Sequence, residues 1–148
     1  MLSLLSACGF HLRGSTQIAA RFSELSLSQN TLDEQQWRLL KSALHNASVT
    51  ITDSDQLPRL RVSFNRLKDS KLTTSSSAAV SLVQIGMQIN FSIVDRAGNV
   101  LLPAETLTQS RTLELDAENV LSQRGSIDAQ LTELEKDLIR SMLYKMQQ

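Results

Sequence analysis

Apolar and polar residues alternate along four segments of the chain, which is the pattern of strands buried on one face. The clearest segment is 83–93, where apolar residues at the odd positions are separated by polar residues or glycine at the even ones. Shorter alternations over 22–29, 58–67 and 100–115 predict three further strands, the last interrupted near Pro103. In the segment 58–67, Arg59 and Arg61 would lie on the side opposite Leu60 and Val62.

Two other segments repeat apolar residues at steps of three and four, which predicts amphipathic helices. The first follows Thr31 and Glu34, which have the spacing of a capping box, and Asn46 is a plausible end signal. The second runs from about Ser126 to Met146, and Gly125 is expected to separate it from a shorter preceding turn.

The resulting order, β-α-β-β-β-α, predicts an α+β two-layer sandwich in which two helices cover one face of a four-stranded, mainly antiparallel sheet. The Ser- and Thr-rich segment 68–77 is expected to be a mobile loop, and 95–99 a hairpin connection with Gly98 in a left-handed conformation. A chain of 148 residues is sufficient for one core, so we expect a single domain over 21–148.

The side of the sheet away from the helices is predicted to be polar but mostly uncharged, since it carries Ser, Thr, Gln and Asn. Two interpretations are open. The simpler is an ordinary solvated face, because antiparallel sheets commonly have one wet side. The other is a surface adapted to a wet, polar enclosure such as the interior of a large β-barrel.

Composition excludes several classes of function. A formal net charge of +0 and 4% aromatic residues argue against nucleic acid as a partner. The histidines His11 and His45 fit no metal-ligand spacing, and no nucleophile-elbow, dinucleotide or phosphate-loop motif occurs. Glu133 and Glu135 are interpreted as the solvated face of the last helix. We therefore expect no enzyme activity, no metal and no cofactor.

The single cysteine excludes an internal disulfide, and its position suggests another role. Cys8 follows the apolar and then small residues LSLLSA, the order at the end of a secretory signal. The segment L-S-A-C resembles the bacterial lipobox, which implies cleavage before Cys8 and attachment of a diacylglycerol to its thiol. Residues 1–7 would then be a truncated signal peptide, and residues 8–20 a lipidated N-terminus and tether. The alternatives are a small core residue or a nucleophile paired with His11.

The hexapeptide C-G-F-H-L-R at 8–13 resembles the start of the mature lipopolysaccharide-assembly lipoproteins, the LptE family. The likeness continues more weakly through L-P-R-L-R-V at 57–62, the long third strand, D-R-A-G at 95–98 and the terminal helix. It implies the same fold, in which two helices lie on a four-stranded sheet.

The resemblance also implies a function at the periplasmic face of the outer membrane. Proteins of this family are anchored there by lipid, plug the LptD β-barrel, assist its assembly and bind lipopolysaccharide. Gly9 after the cysteine fits sorting to the outer membrane. By position, Lys68, Lys71 and Arg124 are the candidate lipopolysaccharide ligands. For any single one of them, an ordinary solvated loop charge is the favoured interpretation. The alternative function is a scaffold lipoprotein of another envelope complex.

Overall fold

A computed structural model of the chain describes residues 18, 21–28, 31–74, 80–116 and 120–148. Cys8 and His11, with most of the expected tether, lie outside these residues. The elements are, in chain order, β1 (Glu24–Leu27), α1 (Glu34–Asn46), β2 (Thr50–Ile51), β3 (Arg59–Arg66), β4 (Ser70–Thr74), β5 (Val80–Val94), β6 (Val100–Asp116) and α2 (Val120–Met146). The prediction of an α+β fold with two helices is confirmed.

The sheet is mixed, which differs from the four mainly antiparallel strands expected. The long strand β5 is its centre, with β6 antiparallel along one edge and β3 followed by β4 antiparallel along the other. β1 pairs in parallel with both β2 and β3. The parallel pairing of β1 with β2 arises because α1 carries the chain from β1 back to the same end of the sheet, as in a β-α-β crossover.

The segment expected to be a loop forms β4, so that prediction is wrong over 70–74. β4 pairs with the first part of β5, on the same edge that β3 occupies further along the strand. Ser70 lies opposite Gln84, and the register shifts between Lys71 and Thr73. Leu67, between the two strands, donates its backbone N–H to the carbonyl of Gly86 at 2.9 Å. A Cβ at Gly86 would lie 3.1 Å from Leu67 Cδ1, so the glycine permits this close approach.

Both ends of α1 are fixed by local hydrogen bonds. The helix ends at Asn46 as predicted, but its capping box is not formed by the residues expected. The capping box is formed by Asp33 and Gln36, because Asp33 accepts from the Gln36 backbone at 2.8 Å and Gln36 accepts from the Asp33 backbone at 3.2 Å. Thr31 instead donates to the Val62 carbonyl at 2.6 Å and ties the helix entry to β3. After the helix, Ser48 has a φ of 62°, the left-handed conformation of a Schellman motif.

The core lies between β5 and the two helices. The odd residues of β5 from 83 to 93 are all buried, as the alternation predicts. α1 contributes Leu40 and Leu44, and α2 contributes a stripe from Leu131 to Met146. Ile18, near the end of the expected tether, is buried in the same cluster. α2 continues through Gly125, where a break was expected.

A buried carboxylate joins the two helices. Glu135 is only 5% exposed, which contradicts its interpretation as a solvated residue. Its two oxygens accept hydrogen bonds from Gln35 Nε2 at 3.1 Å and Gln36 Nε2 at 2.9 Å. The helix pair is therefore held by a polar contact as well as by apolar packing.

Candidate partner-binding face

The side of the sheet turned away from the helices, which we call the polar face, carries rows of uncharged polar side chains, interrupted at Gly86, which Leu67 approaches closely. Residues directly opposite in an antiparallel pair share a face, so the register defines its rows. Ser63, Asn90 and Thr106 form one row across β3, β5 and β6, and the next rows continue toward the start of β5. The uncharged polar members are Ser63, Asn65, Ser70, Gln84, Gln88, Asn90, Ser92, Thr106, Thr108, Ser110 and Thr112.

Charges on the polar face are confined to its ends. Arg59 and Arg61 lie on it at the end where β3 begins, since they pair with Val94 and Ser92 of β5. Glu114 lies opposite Leu82 at the other end. The rows between them can exchange water for another polar surface without the large desolvation cost of a charged group.

Hydrogen bonds within the polar face orient its amides. Asn90 Oδ1 accepts from Thr106 Oγ1 at 2.7 Å and from Gln88 Nε2 at 3.1 Å. Gln84 Nε2 donates to Ser110 Oγ at 3.2 Å. Because the Asn90 oxygen already accepts two bonds, the amide presents its N–H groups as the remaining polar atoms.

A pocket of about 430 Å³ opens where the chain leaving β1 runs beside the arginine end of the polar face. Its polar lining consists of Ser28, Thr31, Arg59, Arg61, Ser63, Asn90 and Ser92. No acidic residue of the described ranges lines it. The alternation in the sequence predicts both arginines on this side of β3, but they were not among the candidate site residues. The signal for them was two cations on an otherwise neutral strand face.

The three cations predicted to bind lipopolysaccharide are all exposed. Lys68 lies between β3 and β4, Lys71 lies in β4 opposite Val83, and Arg124 lies in the N-terminal part of α2. β4 pairs with the first residues of β5. The strand β6, which precedes α2, ends at the same end of the sheet, since Asp116 lies opposite Val80. Among the described residues, none of the three forms an ion pair.

The described residues lack the features of two other classes of site. Within the described ranges, no three His, Cys, Asp or Glu side chains are grouped as a metal site would require. No helix in this part of the chain combines the length and the apolar character needed to cross a membrane. At Asp95, hydrogen bonds, above all the one from the Asn99 side chain, hold the pKa of the carboxyl below its usual value.

Comparison with known proteins gives matches at the level of structure. No protein-family model and no curated protein matches the sequence. A minor lipoprotein from Acinetobacter baumannii is similar with a TM-score of 0.68 and 20% identity, over 85% of this chain and 93% of that one.

Two further solved structures share the fold. The rare lipoprotein B from Shewanella oneidensis has a TM-score of 0.63 at 19% identity, over 83% of this chain and 92% of that one. An uncharacterized lipoprotein B from Nitrosomonas europaea has a TM-score of 0.62 at 11% identity, over 82% of this chain and 80% of that one. These matches agree with the resemblance at residues 8–13, and the chain has the fold of the rare and minor bacterial lipoproteins.

Proposed function

We propose that this protein is a non-enzymatic lipoprotein subunit of the lipopolysaccharide translocon, located at the periplasmic face of the outer membrane. It would plug the lumen of the LptD β-barrel, assist the assembly of that barrel and bind lipopolysaccharide for delivery to the outer leaflet. The observation that carries the proposal is the uncharged polar face between Arg61 and Glu114. The fold shared with rare lipoprotein B, a name used for LptE, supports it.

The physical argument concerns what such a face can be buried against. The lumen of a large barrel is wet and lined by polar side chains. Hydroxyls and amides can replace hydrogen bonds to water by hydrogen bonds to such a wall at a small net cost in free energy. Unpaired lysines and glutamates would lose their hydration, which costs much more. An ordinary solvated face has no need to avoid those charges, so the neutral rows favour the barrel interpretation.

The decisive experiment is co-purification from membranes. A tagged form with a complete signal peptide should retain a large β-barrel protein after solubilisation in detergent, and that protein should be identified as LptD by mass spectrometry. A matched pair of variants tests the surface. Thr108→Arg places a charge in the middle of the polar face, whereas Ser42→Arg places one on exposed α1. We expect only Thr108→Arg to reduce recovery of the barrel.

Recovery of a different envelope complex would favour the alternative function, a scaffold lipoprotein of another assembly. If the wild-type protein retains no β-barrel protein, the plug proposal is wrong. Equal recovery with both variants would refute the role of the polar face alone.

Lipopolysaccharide binding is proposed at Lys68, Lys71 and Arg124, because exposed cations form charge-assisted hydrogen bonds with phosphate. The triple alanine variant should bind purified lipopolysaccharide more weakly than wild type, with the exposed Lys41→Ala as a control. Unchanged binding would exclude these three residues as the site.

The lipid anchor is proposed at Cys8, outside the described residues. Two or more acyl chains give stable membrane attachment, so the protein should stay with membranes after a salt wash. Mass spectrometry should find acylated Cys8 at the N-terminus of the mature protein, and Cys8→Ser should abolish the modification. An unmodified N-terminus in membrane-derived protein would remove the anchor from the proposal.

A further inference from the structure

We propose that the pocket beside Arg61 binds a carboxylate side chain of the protein that covers the polar face. The inference rests on the proposed function, since it assumes that a partner protein covers this face, and it adds the chemistry by which that partner is recognised. Three features of the described residues carry it: the donors that line the pocket, the pairing of the neighbouring charges, and the cost of covering an unpaired arginine.

The pocket offers several hydrogen-bond donors. Its lining combines two guanidinium groups with hydroxyls, which both donate and accept, and one amide. Among the described residues, no acidic side chain lines it. The Asn90 oxygen is already occupied by Thr106 and Gln88, which leaves the amide N–H groups free to donate. Ser92 lies opposite Arg61 in the register, so a hydroxyl stands beside the guanidinium. An ionised carboxylate only accepts hydrogen bonds, and it therefore matches this lining.

The charges around the pocket leave one cation without a partner. Arg59 is paired with Asp55. Asp95, which lines an adjoining pocket with Arg61, accepts from the Asn99 backbone at 2.8 Å and from Asn99 Nδ2 at 2.7 Å. The Arg61 guanidinium makes no hydrogen bond or ion pair with any described residue. The charged side chains that line the two adjoining pockets are Arg59, Arg61, Arg96, Asp55 and Asp95. Their net charge is one positive, which fits a single carboxylate better than a doubly charged phosphate group.

Covering the polar face changes what Arg61 requires. In water its guanidinium is hydrated, and the lack of a partner costs little. Under a protein surface that hydration is lost, and an uncompensated buried charge is strongly destabilising. The partner must then supply an anion, and the planar fork of arginine is suited to binding both oxygens of a carboxylate. Arg61 would also fix how the partner is placed, because the rest of the face is neutral.

The test compares variants in the full-length, membrane-extracted complex. Arg61→Glu should lower recovery of the barrel protein by about tenfold or more, because it places two carboxylates together. Arg61→Lys should lower recovery less, since it keeps the charge and loses the fork. Lys41→Glu is the matched control, because Lys41 is an exposed cation on α1 and has no ion-pair partner among the described residues. Thermal unfolding of each variant checks that the fold is kept.

A photo-cross-linking residue at Ser92 identifies the occupant independently of folding effects. We expect adducts with a partner segment that contains Asp or Glu, and replacement of that carboxylate by Lys should restore recovery with Arg61→Glu. Adducts with lipopolysaccharide, or full recovery of the barrel with Arg61→Glu, would overturn the inference while the proposed function stands. Failure of the wild-type protein to retain a barrel would overturn both.

Discussion

Removing the carboxylate of Glu135 should loosen the junction between the two helices. Glu135 accepts from both Gln35 and Gln36, and Gln35 Nε2 also lies 3.0 Å from Thr132 Oγ1 on α2. Gln36 is at the same time the second member of the capping box with Asp33. One side chain on α2 therefore supports both the docking of α1 and the order of its first turn. Glu135→Ala would leave the Gln36 amide without its acceptor in a partly buried position.

The magnitude follows from these two bonds. A hydrogen bond to a charged group contributes about 1.5–3 kcal/mol to the free energy of unfolding. Gln35 is exposed and keeps Thr132, so its bond contributes less than that of Gln36. The alanine variant no longer has to bury a charged carboxylate, and the free energy saved in this way offsets part of the lost stability. We expect a net destabilisation of about 2 kcal/mol, with a fall in the melting temperature of roughly 4–8 °C. Glu135→Gln, which keeps one acceptor, should lose about 1 kcal/mol.

Urea unfolding followed by the fluorescence of Trp37 measures this effect directly. Trp37 is the only tryptophan and lies in α1, so its emission reports the release of that helix. Glu133→Ala is the control, because Glu133 is on the same helix but pairs with Lys136 at the surface. That variant should lose no more than about 0.5 kcal/mol. If Glu135→Ala and Glu133→Ala destabilise equally, the carboxylate does not hold the helices and the reasoning is wrong.

Three further predictions concern local structure. Ser48→Gly should stabilise the protein by about 1 kcal/mol, because glycine adopts the left-handed φ without cost; an unchanged urea midpoint would contradict this. Asp95 should contribute stability that is complete above its unfolded pKa, near 3.8, and is lost as the pH falls through its lower folded pKa. Asp95→Asn should reduce that acid dependence, and an NMR titration that gives a normal pKa would refute it. Arg111→Ala should cost about 1 kcal/mol by chemical denaturation, because the bond to Asp137 at 2.7 Å is only partly exposed; a loss near zero would show that solvent screens the pair.

The long strands were predictable because their alternation is sustained. Every odd position of β5 from 83 to 93 is buried, as its sequence predicts. In β6, the same period places Arg111 on the side of Leu107 and Leu113, and the Arg111 guanidinium reaches Gln130 and Asp137 on α2. A period of two over many residues fixes the orientation, because a slip of one position would reverse every side chain.

The elements that sequence reasoning missed depend on partners distant in the chain. β4 is rich in Ser, Thr and Lys and resembles a loop, yet it pairs with the free edge of β5. Gly125 costs a helix about 1 kcal/mol relative to alanine, which is too little to break one that is anchored by its apolar stripe. Glu135 looked solvated because no local pattern shows that Gln35 and Gln36 approach it from another helix.

The same limit applies to the candidate site. The neutral polar face could be predicted, since it needs only the strand period and the residue types. The unpaired state of Arg61 could not be predicted, because it depends on where Asp55 and Asp95 direct their oxygens in three dimensions. Charge counts along the sequence give zero overall and hide this local excess.

The distribution of ion pairs leads to one last prediction. Five of the seven ion pairs in the described residues involve the helices, and the other two, Arg59–Asp55 and Arg66–Asp69, join strand residues to the adjacent connections. The middle rows of the polar face carry none. Salt screens charge pairs and leaves bonds between neutral groups nearly unaffected. Association through this face should therefore depend on salt mainly through Arg61. In binding measurements at increasing salt, Arg61→Gln should show a flatter dependence than wild type, whereas Lys41→Gln should show the wild-type slope. Parallel slopes for Arg61→Gln and wild type would mean that the partner does not use this charge.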